Sequence, residues 1–210
     1  MSGEVDILEE ARMPRLSILR LLSAVSFAIM GITGLLPASA EEPFHKELDA
    51  LRQSLLKYKD VYSAVRDGYF STVGCVHYDG MKMEGHVDYA KGGMGIHFVN
   101  VALIGPNPDP MRPSILMYEP KDGKLELIGV EWIVPLNLVK KRPQLFGQDF
   151  LGPMEGHEPL IARDFTHYDL HAWLFKENPY GTFAHTHPEV TCEGYGHSLL
   201  EHPTKLLPEK

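Results

Sequence analysis

Residues 114–135 read SILMYEPKDGKLELIGVEWIVP, and their reading decides the fold. Two runs of large and β-branched apolar residues, SILMYEP and KLELIGVEWIVP, flank Lys121-Asp122-Gly123. Asp-Gly between such runs signals a hairpin, because the turns that match strand twist need positive φ at their central residues. The stretch therefore predicts two antiparallel strands. The same grammar extends outward. YFSTVGCVHY (69–78) and MGIHFVNVALI (94–104) are further strand candidates, and GPNPDPMRP (105–113) is too proline-rich for a central strand or a helix. HYDLHAWLF (167–175) alternates with a period of two and stops at the breaker KENPYG. Residues 136–160 read as loop with at most a short helix, and TFAHTHPEVTC (182–192) as a weaker last segment.

One helix precedes the strands. In FHKELDALRQSLLKYKDVYSAVRDGYF (44–70), Leu48, Leu51, Leu55, Tyr58, Tyr62, Val65 and Tyr69 recur at spacings of three and four. That is an amphipathic stripe with polar residues opposite. Pro43 suits its first turn and Gly68 its exit. The expected class is α+β: an N-terminal amphipathic helix packed on an antiparallel, curved sheet or small β-barrel.

Ahead of the helix, MPRLSILRLLSAVSFAIMGITGLLPASA (13–40) places Arg15 and Arg20 before an uncharged stretch from Leu21 to Leu36. It closes on Ala38-Ser39-Ala40, a small-x-small cleavage signal. The uncharged stretch is shorter than the ~20 residues a spanning helix needs. Residues 1–40 are thus expected to be a secretory signal peptide, cut before Glu41. Residues 1–12, acidic where such peptides are basic, are a gene-start artefact in this reading, with Met13 the true start. The mature chain, 41–210, is expected to form a single α+β domain, periplasmic or extracellular, with no stable membrane span after cleavage. Export places Cys75 and Cys192 in an oxidising compartment, so one disulfide between them is the economical expectation, with two buried thiols as the alternative.

The chain has 210 residues, 44% of them hydrophobic, enough for one domain with a core. Its net charge of -8 and lack of any basic run exclude a phosphate backbone as a natural partner. There is no nucleophile elbow, no phosphate-cradling loop, no Cys-x-x-Cys and no His-Glu-x-x-His, which counts against serine hydrolase, nucleotide or flavin, and thioredoxin-like chemistry. Glycine-rich AKGGMGIHF leads into a strand and reads as a bend or close backbone contact. Met81, Met83, Met94, Met111 and Met117 are spaced irregularly and read as core fillers rather than copper ligands.

Polar residues inside apolar strands remain. His97 lies between Ile96 and Phe98, and Glu131 shares a predicted strand face with Leu127 and Ile133. His171 shares one with Trp173 and Phe175. A buried ionised carboxylate needs a cation or hydrogen bonds to compensate it. Three strands each aiming one such side chain inward would build a two-histidine, one-carboxylate metal site, suited to one divalent transition ion: iron, zinc or copper. His97, Glu131 and His171 are the candidate ligands, with His167, Glu119 and His77 as candidate fourth members. Glu131 and Glu119 are the candidate catalytic carboxylates, as ligand or general base. A solvated or hydrogen-bonded core histidine is the plain alternative at each position. His185 and His187 could also share a metal on one strand face, but their Pro- and Gly-interrupted segment reads as an exposed tail.

The phrases GCVHY, GGMGIHFVNVALI, SILMYEP, KLELIGVEWIVP and LHAWLF resemble, in this order, a family of small exported bacterial proteins without an assigned activity. The resemblance spans nearly the whole mature chain and implies export, a single domain and the two cysteines, but no reaction. In that family the counterpart of FAHTHPEVTC reads FADWNPxVxC, so His185 and His187 would not belong to a family-wide site. Taken together, the expectation is an exported metalloprotein with an open His/His/carboxylate site, binding or turning over a small molecule. A non-catalytic copper or zinc carrier or sensor of the cell envelope, and a metal-free disulfide-stapled binding module, are the alternatives. Oligomeric state is not legible.

Overall fold

A computed structural model of the chain describes residues 41–209, and the predicted signal peptide lies outside the described residues. The single long helix expected from the stripe is broken. Helix α1 spans Glu41–Leu55, a 3-10 turn follows at Leu56–Lys59, and α2 spans Val61–Arg66. Asp60 makes the break: its carboxylate accepts from the Tyr62 N–H at 3.2 Å and the Ser63 hydroxyl at 2.8 Å, an N-cap that starts a new helix. The restart shifts the phase of the stripe. Leu48, Leu51, Leu55, Tyr58 and Tyr69 are buried, whereas Tyr62 is 79% exposed and Val65 44%.

Among the described residues nine strands follow: β1 Phe70–Tyr78, β2 Gly92–Val99, β3 Ile115–Lys121, β4 Lys124–Pro135, β5 Gln144–Leu145, β6 Gln148–Asp149, β7 Leu151–Met154, β8 His167–Ala172 and β9 Ser198–Leu200. The β3–β4 hairpin turns at Asp122 and Gly123 with φ of 50° and 72°, the positive values that Asp-Gly supplies. Strands β5 and β6 pair only with each other, and the others form one sheet in the order β7-β8-β4-β3-β2-β1-β9. Every pair in it is antiparallel except β1 with β9. Three expectations change. The stretch expected to be loop or short helix supplies β5, β6 and β7. Residues 182–192 form no strand and touch the sheet ladder only at the Gly93–His187 bridge. Strand β2 stops at Val99, because Asn100 caps a 3-10 turn at Val101–Leu103.

The sheet curves into a half-barrel with β7 and β9 as its edges. The C-terminal chain crosses the gap between them. It is bonded to β1 through Glu201 N–H to His77 O, 3.0 Å, and to β7 through Leu207 N–H to Pro153 O, 2.8 Å. On its way it bonds Val87 and Glu155. Cys75 on β1 and Cys192 form the disulfide, with Cα atoms 5.6 Å apart and a sequence separation of 117.

Strand parity divides the sheet into two unlike faces. On one, Phe98, Leu116, Val130 and Ala172 stand opposite one another across β2, β3, β4 and β8, and all four belong to the main core with Leu48, Leu51 and Leu55 of α1. Each large side chain buried there contributes about 1.5–3 kcal/mol. The next row, on the other face, reads Val99, Ile115, Glu131 and His171. A register shift in the β3–β4 ladder places Leu127 opposite Tyr118 on the core face, so it does not share a face with Glu131 as strict alternation would have it.

Candidate metal centre

The inner face gathers the ligand-type side chains. Glu131 and His171 are direct cross-strand partners, and His97 reaches them from β2. Glu131 Oε2 lies 3.3 Å from His97 Nε2 and 3.6 Å from His171 Nε2. Donors at ~2.1 Å from a tetrahedral ion stand about 3.4 Å from one another, so this spacing fits an ion at their centre. All three residues are buried, and no hydrogen-bond partner among the described residues reaches His97 Nδ1 or either ring nitrogen of His171. Leaving such a group unsatisfied costs about 1–3 kcal/mol, and an ion among these donors would remove that cost at His171 Nε2.

Two further clusters adjoin the first. His157, His167 and Asp169 form one, and Asp169, His171 and His185 the other. His167, Asp169 and His171 come from alternate positions of β8, so their side chains share the inner face. His157 arrives from the loop between β7 and β8, and His185 from the stretch after β8. That stretch is not an exposed tail. It is fastened by reciprocal backbone hydrogen bonds between Gly93 and His187, 2.9 and 3.0 Å, and by the disulfide at Cys192. Only glycine permits this approach at position 93, where a Cβ would lie 2.6 Å from the Val190 carbonyl oxygen. His185 is thereby held with its Nε2 4.0 Å from Asp169 Oδ1.

Burial sets the protonation of the cluster. It pushes His171 down to about 4 and His157 and His185 down to about 3, and it lowers His167 as well. These imidazoles are neutral near pH 7, the form that coordinates metals. Burial alone would raise Glu131, but His171 and His97 outweigh it and bring the carboxyl to about 2. Burial, and then the charge of Glu131, push Asp169 well up. Two carboxylates facing one dry space repel each other, and a cation between them relieves that.

The sequence-derived candidates therefore part company. His97, Glu131 and His171 are brought together, and His167 lies in the adjoining cluster. Glu119 lies elsewhere: its carboxylate is held by Lys176 Nζ at 2.8 Å and the Thr191 N–H at 3.1 Å, which compensates its buried charge without any metal. His77 is half-buried beside Lys91 and Pro188 and joins none of the clusters. His187 is fully buried, with Nε2 2.8 Å from Glu177 O and Nδ1 accepting from the Glu189 N–H, so its ring is satisfied structurally. Asp169 escaped the sequence reading although it lies two residues from both His167 and His171, which was signal enough. His157 carried no periodic signal.

The inner face carries a cavity of about 40 Å³, lined by His97, Glu131, His157, Asp169, His171 and Glu201 among others. His157 and Glu201 also line a surface groove of about 620 Å³, so they form the wall between cavity and solvent. A roomier groove of about 760 Å³, between Lys59–Tyr62 and the β3–β4 turn, touches none of the clusters. No protein-family model, curated protein or solved structure matches the chain.

Proposed function

We propose that the chain is an exported metalloprotein that holds a divalent transition ion between His97, Glu131 and His171. The observation that carries this reading is the 3.3 and 3.6 Å spacing of these donors, all buried, around one carboxylate oxygen. Iron, zinc and copper suit two imidazoles and a carboxylate. Such an ion supplies Lewis acidity to a bound water or small ligand. The protein's part is to keep the His171 imidazole neutral, hold Glu131 ionised and shield the site from bulk water. The cavity of about 40 Å³ restricts a reactant there to roughly the size of water or dioxygen. Within this reading, Glu131 is the carboxylate of the site and Glu119 a structural ion-pair partner.

The disulfide and the phrase-level resemblance support export. No helix among the described residues is long and apolar enough to cross a membrane, which is compatible with it. A carrier that binds the ion without turnover is the second reading. It is favoured by the gradient of donors from buried His171, 1% exposed, to His185 at 27%. Elemental analysis of the purified mature protein against His97→Ala and His171→Ala tests the ion itself. Wild type is expected to carry a transition metal, with one equivalent lost in each variant; identical content in all three would sink the proposal. Rapid exchange of the ion with an added chelator would favour the carrier.

A further inference from the structure

Strand β8 sets His167, Asp169 and His171 along one face at intervals of about 6.7 Å. Glu131 and His97 complete the His171 end. The His167 end has its own set. His157 Nε2 and His167 Nε2 each lie 3.9 Å from Asp169 Oδ2, too far for hydrogen bonds and close to the spacing of donors around one ion. The opposite ring nitrogens are both engaged. His167 Nδ1–H donates to Phe165 O at 3.1 Å, and His157 Nδ1 lies in hydrogen-bond reach of Thr204 Oγ1 at 2.8 Å. Metal-ligating histidines are oriented in this way, with the outer nitrogen tied to a hydrogen-bond partner and the other nitrogen turned to the site. His167 is completely buried, and neither its Nε2 nor Asp169 Oδ1 has a hydrogen-bond partner among the described residues. Two atoms that should be satisfied therefore point into the same interior.

We propose that His157, His167 and Asp169 form a second metal site, so that the inner face holds a pair of divalent ions with Asp169 between them. Oδ2 of Asp169 serves the His157–His167 side, and Oδ1 faces His185 and the ion at His171. The proposal of a pair rests on the first site described above. Two histidines and a carboxylate on each side are a donor set for zinc or iron rather than for a soft monovalent ion. Tyr78 donates to Glu201 Oε2 at 2.8 Å, and that carboxylate lies 3.7 Å from His157 Nδ1, beyond hydrogen-bond distance.

The test is a zinc count. Purified mature protein with its disulfide intact is stripped with chelator, reloaded with zinc(II), desalted and analysed for zinc per chain, with thermal unfolding in parallel. Wild type is expected to hold two equivalents, and His97→Ala, His157→Ala and His167→Gln one each. His157→Ala, in a loop, keeps the test valid should a β8 variant fail to fold. One equivalent in wild type that survives His157→Ala and His167→Gln but vanishes in His97→Ala would overturn the second site and leave the first standing. One equivalent with the reverse pattern would overturn the first site and leave His157, His167 and Asp169 as the metal site. No zinc in any form would overturn both.

Discussion

The two faces of one sheet differ by a single residue of register. Phe98, Leu116, Val130 and Ala172 form an apolar row under the helices, and the adjacent Val99, Ile115, Glu131 and His171 lead into a polar interior. Apart from half-buried Val99, both rows are buried. The core face is stabilised by the burial itself, whereas the inner face buries groups whose desolvation needs an offset. The C-terminal chain makes the second state possible, because it spans the sheet edges and covers part of a concave surface. The two faces should therefore respond differently to perturbation.

Removing the disulfide should damage both faces at once, and most severely. Cys75 lies in the main core, and Cys192 anchors the chain that brings His185 and Glu201 over the inner face. For a loop of this length the chain-entropy model gives about 4–5 kcal/mol. Cys75→Ser combined with Cys192→Ser is expected to lower stability by that amount in urea denaturation and to reduce metal content. Unchanged metal content in the folded double variant would show that the inner face is closed without the bridge.

A core-face substitution should separate the two. Trp132 is 1% exposed, donates from Nε1 to Asp109 O at 2.7 Å and packs on Phe146 with ring centroids 5.6 Å apart. Trp132→Ala is expected to cost about 3–5 kcal/mol. Its metal content should match wild type, since the side chain points away from the cluster. Loss of metal in a variant that remains folded would mean that the faces are coupled through the strand.

Acid should act mainly on the inner face. An ordinary histidine titrates at 6.5, but His171 is held at about 4 and His157 and His185 at about 3. Between those values the unfolded chain binds protons that the folded chain refuses, so stability falls as pH drops below 6.5. Glu131, held at about 2, adds to the loss below its ordinary 4.5. Asp169 and Glu201 are pushed up and oppose it, because the folded chain takes their protons first. With three strongly depressed histidines against two raised carboxyls, the metal-free protein should lose on the order of 1–2 kcal/mol per pH unit from 6.5 down to 4. Denaturation midpoints across that window, in wild type and Trp132→Ala, should run parallel. A flat profile would mean that the histidines are not buried as neutral rings.

What the sequence disclosed follows the range of the interactions. The β3–β4 hairpin is local: Asp122-Gly123 dictates the turn, and the flanking apolar runs dictate the strands. A polar residue inside an apolar strand is also a local signal, which is why His97, Glu131 and His171 stood out. Their distances were not local, since β2, β4 and β8 meet only through the sheet order. His157 and Glu201 come from loops with no period, and β9 pairs in parallel with a strand more than a hundred residues earlier. The β3–β4 register shift that moves Leu127 to the core face is invisible to strict alternation.

The smallest effect tests the place where helical periodicity and the structure disagree. Extended through Tyr62 and Val65, the apolar stripe assigns both to the core, on a par with Leu51. The cap at Asp60 restarts the helix, and the new phase turns both side chains to solvent while Leu51 stays at 0% exposure. Tyr62→Ser and Val65→Ser are expected to change stability by no more than about 0.5 kcal/mol each. Leu51→Ala, on the same stripe, should cost about 2–5 kcal/mol. Asp60→Ala should fall between them, at about 1 kcal/mol, through loss of the cap. If Tyr62→Ser were as costly as Leu51→Ala, the helix would be continuous and the cap incidental, and the core face would extend past the break the structure draws.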